Sequence, residues 1–596
     1  MEEDEFFAAI AKGNTNFVSQ FIRSYPEKWK ETTTIDGQTS LHLAPDAEIA
    51  ECLISAGANM EALDKWGFTP FLQATCNGKL VVVDVLIGHG CNISAKIKNG
   101  NGALALASMN GYVDIVKQLV RMGLCVNEPH QGGYTSLHWA CQKGHVEITD
   151  YLISAGANVE SLDQSGCTPF LLAVVNGKSG VVGVLIERCC NIFAKTNDGN
   201  GGLALASKHG HLNIAKQLVE MGLSASEPNQ YGYTSLHWAC VKGHAETAEY
   251  LISAGANLES LDKWGFTPFL LAVLSGNSKV INVLIGRGCN ISAKTSDGDG
   301  ALALASGGGY LAIVKQLVAM GLSVNEADQD GSTSLHWACQ TTQADTADYL
   351  ISAGANVEAL HKTGLTPFLC AVLDGQLRVI DVLIARGCII SAKSINGEGA
   401  LALASRKGHL DIAKQLVRMG LSVNDPDQDG LTSLHWACRE GHEETAEYLI
   451  SAGADMEAKN RFDRTPLLEA NLFEQFNVVA ALVRILGSQI TFERGANGGN
   501  QQEVNDSNET SNEGKLTTTN KVDLTSDKDV SSHQEKEDHF QEIYNEALKR
   551  GSVTVNRTHI TVVGQDRAGK SCLVDSLLNR PFERERKRAR KERPWQ

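Results

Sequence analysis

Apolar residues recur along most of this 596-residue chain in short runs at helical spacing, and glycine or polar turns separate the runs. One segment, which begins at Thr135, reads TSLHWACQKGHVEITDYLISAGANVESLDQSG. Its apolar residues form two runs with the spacing of an amphipathic helix. Gly144 and Gly156 follow the two runs, and glycine commonly ends a helix in this way. The pattern predicts a pair of short helices followed by a polar, turn-rich finger.

The same pattern repeats with a fixed period. The sequence TSLHWAC occurs at Thr135, Thr234, Thr333 and Thr432, 99 residues apart each time, or three times 33. Segments beginning TPFL and segments beginning G-x-LALAS stand between these copies, so each long period holds three kinds of repeat in fixed order. We count 14 units of about 33 residues. A helix pair this short cannot bury its apolar face alone, so the units are predicted to stack into an all-α repeat solenoid.

These repeats resemble the ankyrin repeat. The T-P-L-H, G-H and G-A-[DN]-V-N blocks of that family appear here as TSLH, TPFL, KGH, AGANVE and GLSVNE, over roughly residues 37–485. The resemblance implies helix-turn-helix units joined by β-turn fingers, with a concave groove that grips partner proteins. It favours a protein–protein interaction scaffold rather than an enzyme.

Departures from the family pattern predict local differences in stability. Only the TSLH repeats keep both the threonine and the histidine that, in the family, tie adjacent repeats together by hydrogen bonds. The other two kinds of repeat should therefore depend more on apolar packing. The unit at Thr39 is three residues short, and the unit at Thr333 has Thr342 where its sisters have the cap glycine. A β-branched residue is strained at such a position, so we expect local loosening there.

Composition divides the chain into five segments. They are an N-terminal capping helix pair (1–36), the repeat array (37–487), a disordered polar linker (488–537), a helix plus strand-loop-helix segment (538–582) and a basic tail (583–596). The first lacks the T-P-L-H start, which suits a cap. The linker is almost free of large apolar residues and cannot build a core.

A phosphate-binding motif lies near the carboxyl end of the chain. Its G-x-x-x-x-G-K-[ST] pattern follows a predicted strand and precedes a predicted helix, the context that a P-loop requires. The candidate nucleotide-binding residues are Gly564, Gln565, Asp566, Arg567, Ala568, Gly569, Lys570, Ser571 and Cys572. The loop amides would hold the α- and β-phosphates, Lys570 would reach the β- and γ-phosphates, and Ser571 would ligate Mg²⁺.

The stretch TVVGQDRAGKSCLVDSLLN is similar to the opening of a Ras-like GTPase, most of all the Roc type. The resemblance implies GTP and Mg²⁺ as ligands. The switch threonine, the D-x-x-G loop and the N-K-x-D guanine reader of the family do not follow it. Only 25 residues follow Ser571, whereas an ordinary domain needs roughly 100–150. We expect that this sequence starts a G domain without completing it and does not hydrolyse GTP.

Charge and cysteine usage narrow the partners and the compartment. The net charge is −16, which argues against nucleic acid as a partner of the array. No stretch reaches the roughly 18 consecutive apolar residues of a membrane span, and the acidic N-terminus does not predict a secretory signal. Eight of the 15 cysteines recur at fixed repeat positions, which indicates buried apolar sites rather than disulfides. We expect a cytoplasmic protein.

Aromatic residues at the finger tips are the candidate protein-binding residues. In the ankyrin family these tips and the helix starts line the groove, and aromatic side chains are typical anchors. The candidates are Trp66, Phe68, Tyr134, Tyr231, Tyr233, Trp264 and Phe266. The alternative is that each ring only packs on the neighbouring finger. The repeated Trp139, Trp238, Trp337 and Trp436 occupy an apolar helix position and are predicted to belong to the core.

Three functions remain open from the sequence. The first is a protein–protein interaction scaffold that binds its partners on the ankyrin groove. The second is a GTP-regulated signalling switch, which needs G-domain residues that this sequence lacks. The third is a nucleic-acid or membrane adaptor that uses the basic tail, and it conflicts with the acidic body of the chain. The first accounts directly for most of the sequence.

Overall fold

The structure is a computed structural model that describes residues 2–496. The chain divides into two compact units, Met1–Gly308 and Gly309–Gln596. Within the described residues all regular structure is helical, apart from isolated antiparallel bridges such as the one between Lys96 and Gly102 in a finger. The architecture is therefore an all-helical repeat array without a sheet in this part of the chain.

The first unit begins with three helices, Glu2–Ala11, Thr15–Ser24 and Lys28–Glu31. Helix pairs then follow one another: Ser40–Leu43 and Ala47–Ser55, Pro70–Cys76 and Leu80–Gly88, Ala103–Asn110 and Val113–Arg121, Ser136–Lys143 and Val146–Ser154, Pro169–Val175 and Ser179–Glu187, Gly202–Lys208 and Leu212–Glu220, Ser235–Lys242 and Ala245–Ser253, and Pro268–Leu274 and Ser278–Gly286. The helix Ala301–Gly307 closes this unit, and the 3₁₀ turn Gln131–Gly133 lies in one finger.

The second unit begins with the helix Leu311–Ala319. Its pairs are Ser334–Gln340 and Ala344–Ser352, Pro367–Leu373 and Leu377–Ala385, Ala400–Lys407 and Leu410–Arg418, Ser433–Glu440 and Glu443–Ser451, and Pro466–Leu472 and Phe476–Ala496. The last helix runs past residue 487, at which the sequence analysis ended the array.

Short-range chemistry explains where the first helix of each pair starts and ends. In TPFL repeats the N-cap threonine accepts from the backbone N–H three residues on, as Thr168 does from Leu171 at 3.3 Å, and proline takes the first helical position. In TSLH repeats such as the one at Thr135, histidine completes a capping box. Gly144 ends that helix at φ 91°, a left-handed conformation that favours glycine.

Within each unit, first helices pack on first helices of the neighbouring repeats, and second helices pack on second helices. The apolar runs of the sequence form these contacts: Phe170, Leu171 and Val174 of one first helix are fully buried, as are Val181 and Val182 of its second helix. Burial of each large side chain contributes about 1.5–3 kcal/mol, and only the neighbouring repeats supply the covering surface.

The expectation of backbone strain at Thr342 is wrong. The first helix of that repeat ends at Gln340, and Thr341 turns to extended backbone with φ −121°. The Thr341 hydroxyl group donates toward the carbonyls of Trp337 and Ala338 at 3.3 and 3.4 Å. Thr342 is not among the residues with positive φ. The chain thus avoids the strained conformation by ending the helix early.

Several predictions fall outside the described residues. They are the linker beyond residue 496, the helix and strand-loop-helix segment at 538–582 and the basic tail. The expected α/β P-loop segment therefore stays a prediction from sequence.

Candidate binding surface

An aspartate at the start of a finger positions the aromatic residues of the finger tip. The Oδ1 atom of Asp64 accepts from the backbone N–H groups of Trp66 at 2.9 Å and Phe68 at 2.8 Å. Asp262 does the same for Trp264 and Phe266, at 2.9 and 2.8 Å. This Asx turn closes the tip of each finger, where the tryptophan is exposed and the phenylalanine is half-buried.

Backbone hydrogen bonds join neighbouring fingers of the first unit. The N–H of Lys98 donates to the carbonyl of Trp66 at 3.1 Å, and that of Lys263 to the carbonyl of Tyr231 at 3.0 Å. The fingers therefore hold one another in position. We call the surface formed by the finger tips and the exposed side of the first helices the groove face.

The first aromatic cluster comprises Trp66, Phe68, Tyr134 and Trp139. Trp66, Phe68 and Trp139 line a groove of about 490 Å³ between two fingers and the ends of first helices. The Tyr134 ring packs on Trp139 with 4.9 Å between centroids. Trp66 is 46% exposed, and Lys65 lies over its ring at 4.2 Å. The structure thus brings three of the predicted residues together around a tryptophan that was predicted to be core.

The second aromatic cluster comprises Tyr231, Tyr233, Trp238, Trp264 and Phe266. Tyr231 stacks on Trp264 from the neighbouring finger, with ring centroids 6.3 Å apart. This pair therefore fits the alternative considered from the sequence, in which each ring packs on the neighbouring finger. Both rings nevertheless remain 43% exposed. Tyr233 packs on Trp238 at 5.0 Å, and Phe266 is half-buried.

The prediction that the repeated tryptophans belong to the core is wrong. Trp139, Trp238, Trp337 and Trp436 are all half-buried, whereas the residues on both sides of each are buried. In SLHWAC the buried positions are Ser, Leu, His, Ala and Cys, so tryptophan alone takes the outer side of the helix. On a helical projection of this motif the tryptophan falls opposite the leucine, so the sequence could have predicted the outer position of the tryptophan.

The TSLH histidines are buried and link each TSLH repeat to the next. Nδ1 of His138 accepts from the backbone N–H of Thr135 at 3.0 Å, and its Nε2 faces the carbonyl of Cys167 in the following repeat at 3.3 Å. Because an N–H can only donate, Nδ1 carries no proton and Nε2 carries it. Burial lowers the pKa of His138, and it lowers the pKa of His237 to about 4. These histidines are neutral structural groups.

A second set of histidines links repeats that lack the first kind of tie. Nε2 of His211, in a G-x-LALAS repeat, donates to the carbonyl of Val175 in the preceding repeat at 3.0 Å. His409 does the same to Leu373 at 3.1 Å. The prediction that such repeats depend more on apolar packing did not include this contact. Its only signal in the sequence was the recurrence of Gly-His directly before a second helix, as at Gly210-His211 and Gly408-His409.

Comparison with known proteins places these features in a family. A family model described as ankyrin repeats in three copies matches at residues 6–97, 44–130, 95–163, 170–262, 203–295, 269–361, 302–394, 368–460 and 401–493. The matches cover most of the chain. The chain belongs to the ankyrin repeat family.

A search of solved structures finds 535 matching chains. One is the crystal structure of the human ASB11 ankyrin repeat domain, which is 26% identical over 37% of this chain and 99% of that chain, with a TM-score of 0.34. No curated protein matches the chain.

Membership of the ankyrin family gives the groove face a general role. An ankyrin array is typically a non-enzymatic scaffold for protein–protein interaction. Among the described residues there is no group of three or more metal-ligating side chains. No helix within residues 2–496 is long and apolar enough to cross a membrane. The predicted nucleotide-binding residues, from Gly564 to Cys572, lie outside the described residues.

Proposed function

We propose that this ankyrin array binds partner proteins on its groove face through the two aromatic clusters. The observation that supports the proposal is the groove of about 490 Å³ lined by Trp66, Phe68 and Trp139. Large half-exposed rings that are already held in place lose little conformational freedom on binding, so they act as anchors. In the second cluster, Trp264 and Tyr231 present a stacked pair of the same kind.

The test is the double variant Trp66→Ala with Trp264→Ala in the full chain. Because each ring is nearly half exposed, the array keeps its melting temperature while affinity for a partner isolated on the wild-type chain falls by about tenfold or more. Phe193→Ala is the control, since Phe193 is 64% exposed but does not line this groove. Unchanged affinity in the double variant, or a large fall in its melting temperature, contradicts the proposal.

Nucleotide binding at residues 564–572 is a second candidate function, supported by the P-loop motif in its strand and helix context. It gives the chain a GTP-binding element with Lys570 on the phosphates and Ser571 on Mg²⁺. Wild-type chain then binds a fluorescent GTP analogue in the presence of Mg²⁺, Lys570→Ala does not, and Lys549→Ala, outside the motif, still binds. Equal binding by wild type and Lys570→Ala, or no binding by wild type, rejects this function.

The domain limits and the location belong to the same proposal. The array at 37–487 carries partner binding, with a cap at 1–36, a linker at 488–537, the P-loop segment at 538–582 and the tail at 583–596. Buried cysteines at repeat positions support a reducing, cytoplasmic location, since burial raises the pKa of Cys141 to about 12 and keeps it a thiol.

A further inference from the structure

Five cationic or protonatable side chains meet on the first unit where the first helices Gly202–Lys208 and Ser235–Lys242 end. They are Lys208, His209, His211, Lys242 and His244, and we call them the cationic site. Two contacts join members of the group: His209 and His211 stack with centroids 6.1 Å apart, and Nε2 of His244 lies 3.2 Å from the carbonyl of Lys208. Burial is the main cause that lowers the pKa of His209, and the neighbouring charges lower it further. These are the charges of Lys208, His211, His244 and Lys242.

The cationic site adjoins the second aromatic cluster. The Nζ atom of Lys208 lies over the Trp238 ring, 4.5 Å from its centroid, and Trp238 donates from Nε1 to Oδ1 of Asn200 at 3.0 Å. His209 and Lys242 are exposed, and the other three members are half-buried. Positive groups and an accessible ring thus share one patch of the groove face.

The same pair of repeats recurs 198 residues later in the chain, and this later copy carries carboxylates that the cationic site lacks. The residues 198 positions later are Arg406, Lys407, His409, Glu440 and His442. There Arg406 forms an ion pair with Glu398. Burial raises the pKa of Asp374, and the charges of Lys407 and His409 oppose that rise. The residues that correspond to Glu398, Asp374 and Glu440 in the first copy are Asn200, Asn176 and Lys242.

The two copies therefore differ in how their positive charge is balanced. In the later copy the three corresponding positions are acidic, and one of these residues, Glu398, forms an ion pair with Arg406. In the earlier copy neutral or basic residues replace all three, and none of the five members of the cationic site pairs with a carboxylate in the described structure. In an otherwise acidic chain with net charge −16, this patch attracts negative groups from outside.

We infer that the cationic site binds a short carboxylate-rich segment of a partner protein, whose acidic side chains supply from outside the negative charge that Glu398, Asp374 and Glu440 supply in the later copy. The inference rests on the proposed function, because it names the chemistry of the partner on the same groove face. Nucleic acid fits less well, since the acidic body of the chain repels an extended phosphate backbone.

The experiment measures fluorescence anisotropy of a labelled glutamate-rich peptide with one central tyrosine, titrated with full-length chain. The wild type binds, and added salt weakens binding. Lys242→Glu, which copies Glu440, lowers affinity by about tenfold, and Asn200→Glu with Lys242→Glu lowers it further. Glutamate stands at the position of Lys242 in the later copy, and Lys242 is exposed, so Lys242→Glu retains the melting temperature of the wild type. Lys279→Glu, an exposed change of equal charge on a second helix, keeps wild-type affinity.

Three results overturn the inference. The peptide fails to bind, or Lys242→Glu and Lys279→Glu weaken it equally, or a single-stranded oligonucleotide binds as tightly as the peptide and through Lys242. Failure here is distinct from failure of the proposed function. If a natural partner is lost on Trp66→Ala with Trp264→Ala but bound normally by Lys242→Glu, the groove face still binds protein and only its preference for acidic segments is rejected.

Discussion

At the scale of single residues, the groups around each TSLH histidine hold it in one neutral tautomer. In His237 the Nδ1 atom accepts from the N–H of Thr234 at 3.0 Å, and Nε2 donates to the carbonyl of Phe266 at 3.2 Å. A second proton would have to enter at Nδ1, where it removes the first hydrogen bond and leaves a buried charge. The contact between repeats is therefore sensitive to acid.

This arrangement predicts that the array loses stability as the pH falls below about 6.5. The pKa of His237 is about 4 in the folded chain against 6.5 for the free side chain, so the unfolded state takes up the proton first. The stabilisation is complete above pH 6.5 and is lost as the pH falls toward 4, by roughly 3 kcal/mol for this residue. Urea unfolding at pH 7 and pH 5 measures the loss.

The control for the pH prediction is His237→Leu, which places there the residue that TPFL repeats carry at Leu270. The variant is less stable at pH 7, because the carbonyl of Phe266 loses its donor. Its stability changes less with pH than that of the wild type, because the proton that His237 takes up on unfolding is no longer involved. A pH dependence equal to that of the wild type would contradict the assignment of the neutral tautomer.

At the scale of helices and fingers, three recurring kinds of hydrogen bond are among those that join consecutive repeats. The TSLH histidines reach forward, as His138 does to Cys167, and the second set reaches back, as His211 does to Val175. Backbone bonds between finger tips form the third kind. Every kind of repeat therefore has polar ties to its neighbours, in addition to apolar packing.

We predict that His211→Ala lowers the free energy of unfolding by about 1–2 kcal/mol, because the carbonyl of Val175 loses its donor. His209→Ala is the matched control: it lies two residues away on the exposed surface, and its loss should change stability by less than about 0.5 kcal/mol. Urea unfolding of both variants, with amide exchange over residues 169–220, gives the comparison. Equal effects of the two substitutions would show that the bond to Val175 contributes nothing.

Element starts and ends follow largely from local sequence, whereas contacts between repeats do not. Threonine caps, proline at the first helical position and left-handed glycine are short-range effects, so the helix pairs could be predicted. The bond from His211 to Val175 joins residues 36 positions apart in different repeats, and no local pattern reports it. The early end of the helix at Gln340 was not predicted. The chain avoids the strained left-handed conformation because Thr341 adopts extended backbone instead.

At the scale of the whole molecule, the period of 99 residues with three kinds of repeat explains both the successes and the errors of the sequence analysis. Periodicity identified the array and its family. The repeated tryptophans were assigned to the core because they are large and apolar, yet their helix face is open on the groove side. The cationic site was invisible in the sequence, because its members come from two repeats and stand out only against their counterparts 198 residues later.

The most direct test of the central claim, that the groove face is where partners bind, is photo-crosslinking from single positions of the full chain in extract of its own cells. A photoreactive phenylalanine derivative replaces Trp66 or Trp264 on the groove face, or Val81, which is 59% exposed on a second helix. The account predicts that one partner protein crosslinks from positions 66 and 264 and not from position 81. A partner that crosslinks from position 81 and from neither groove position would contradict it.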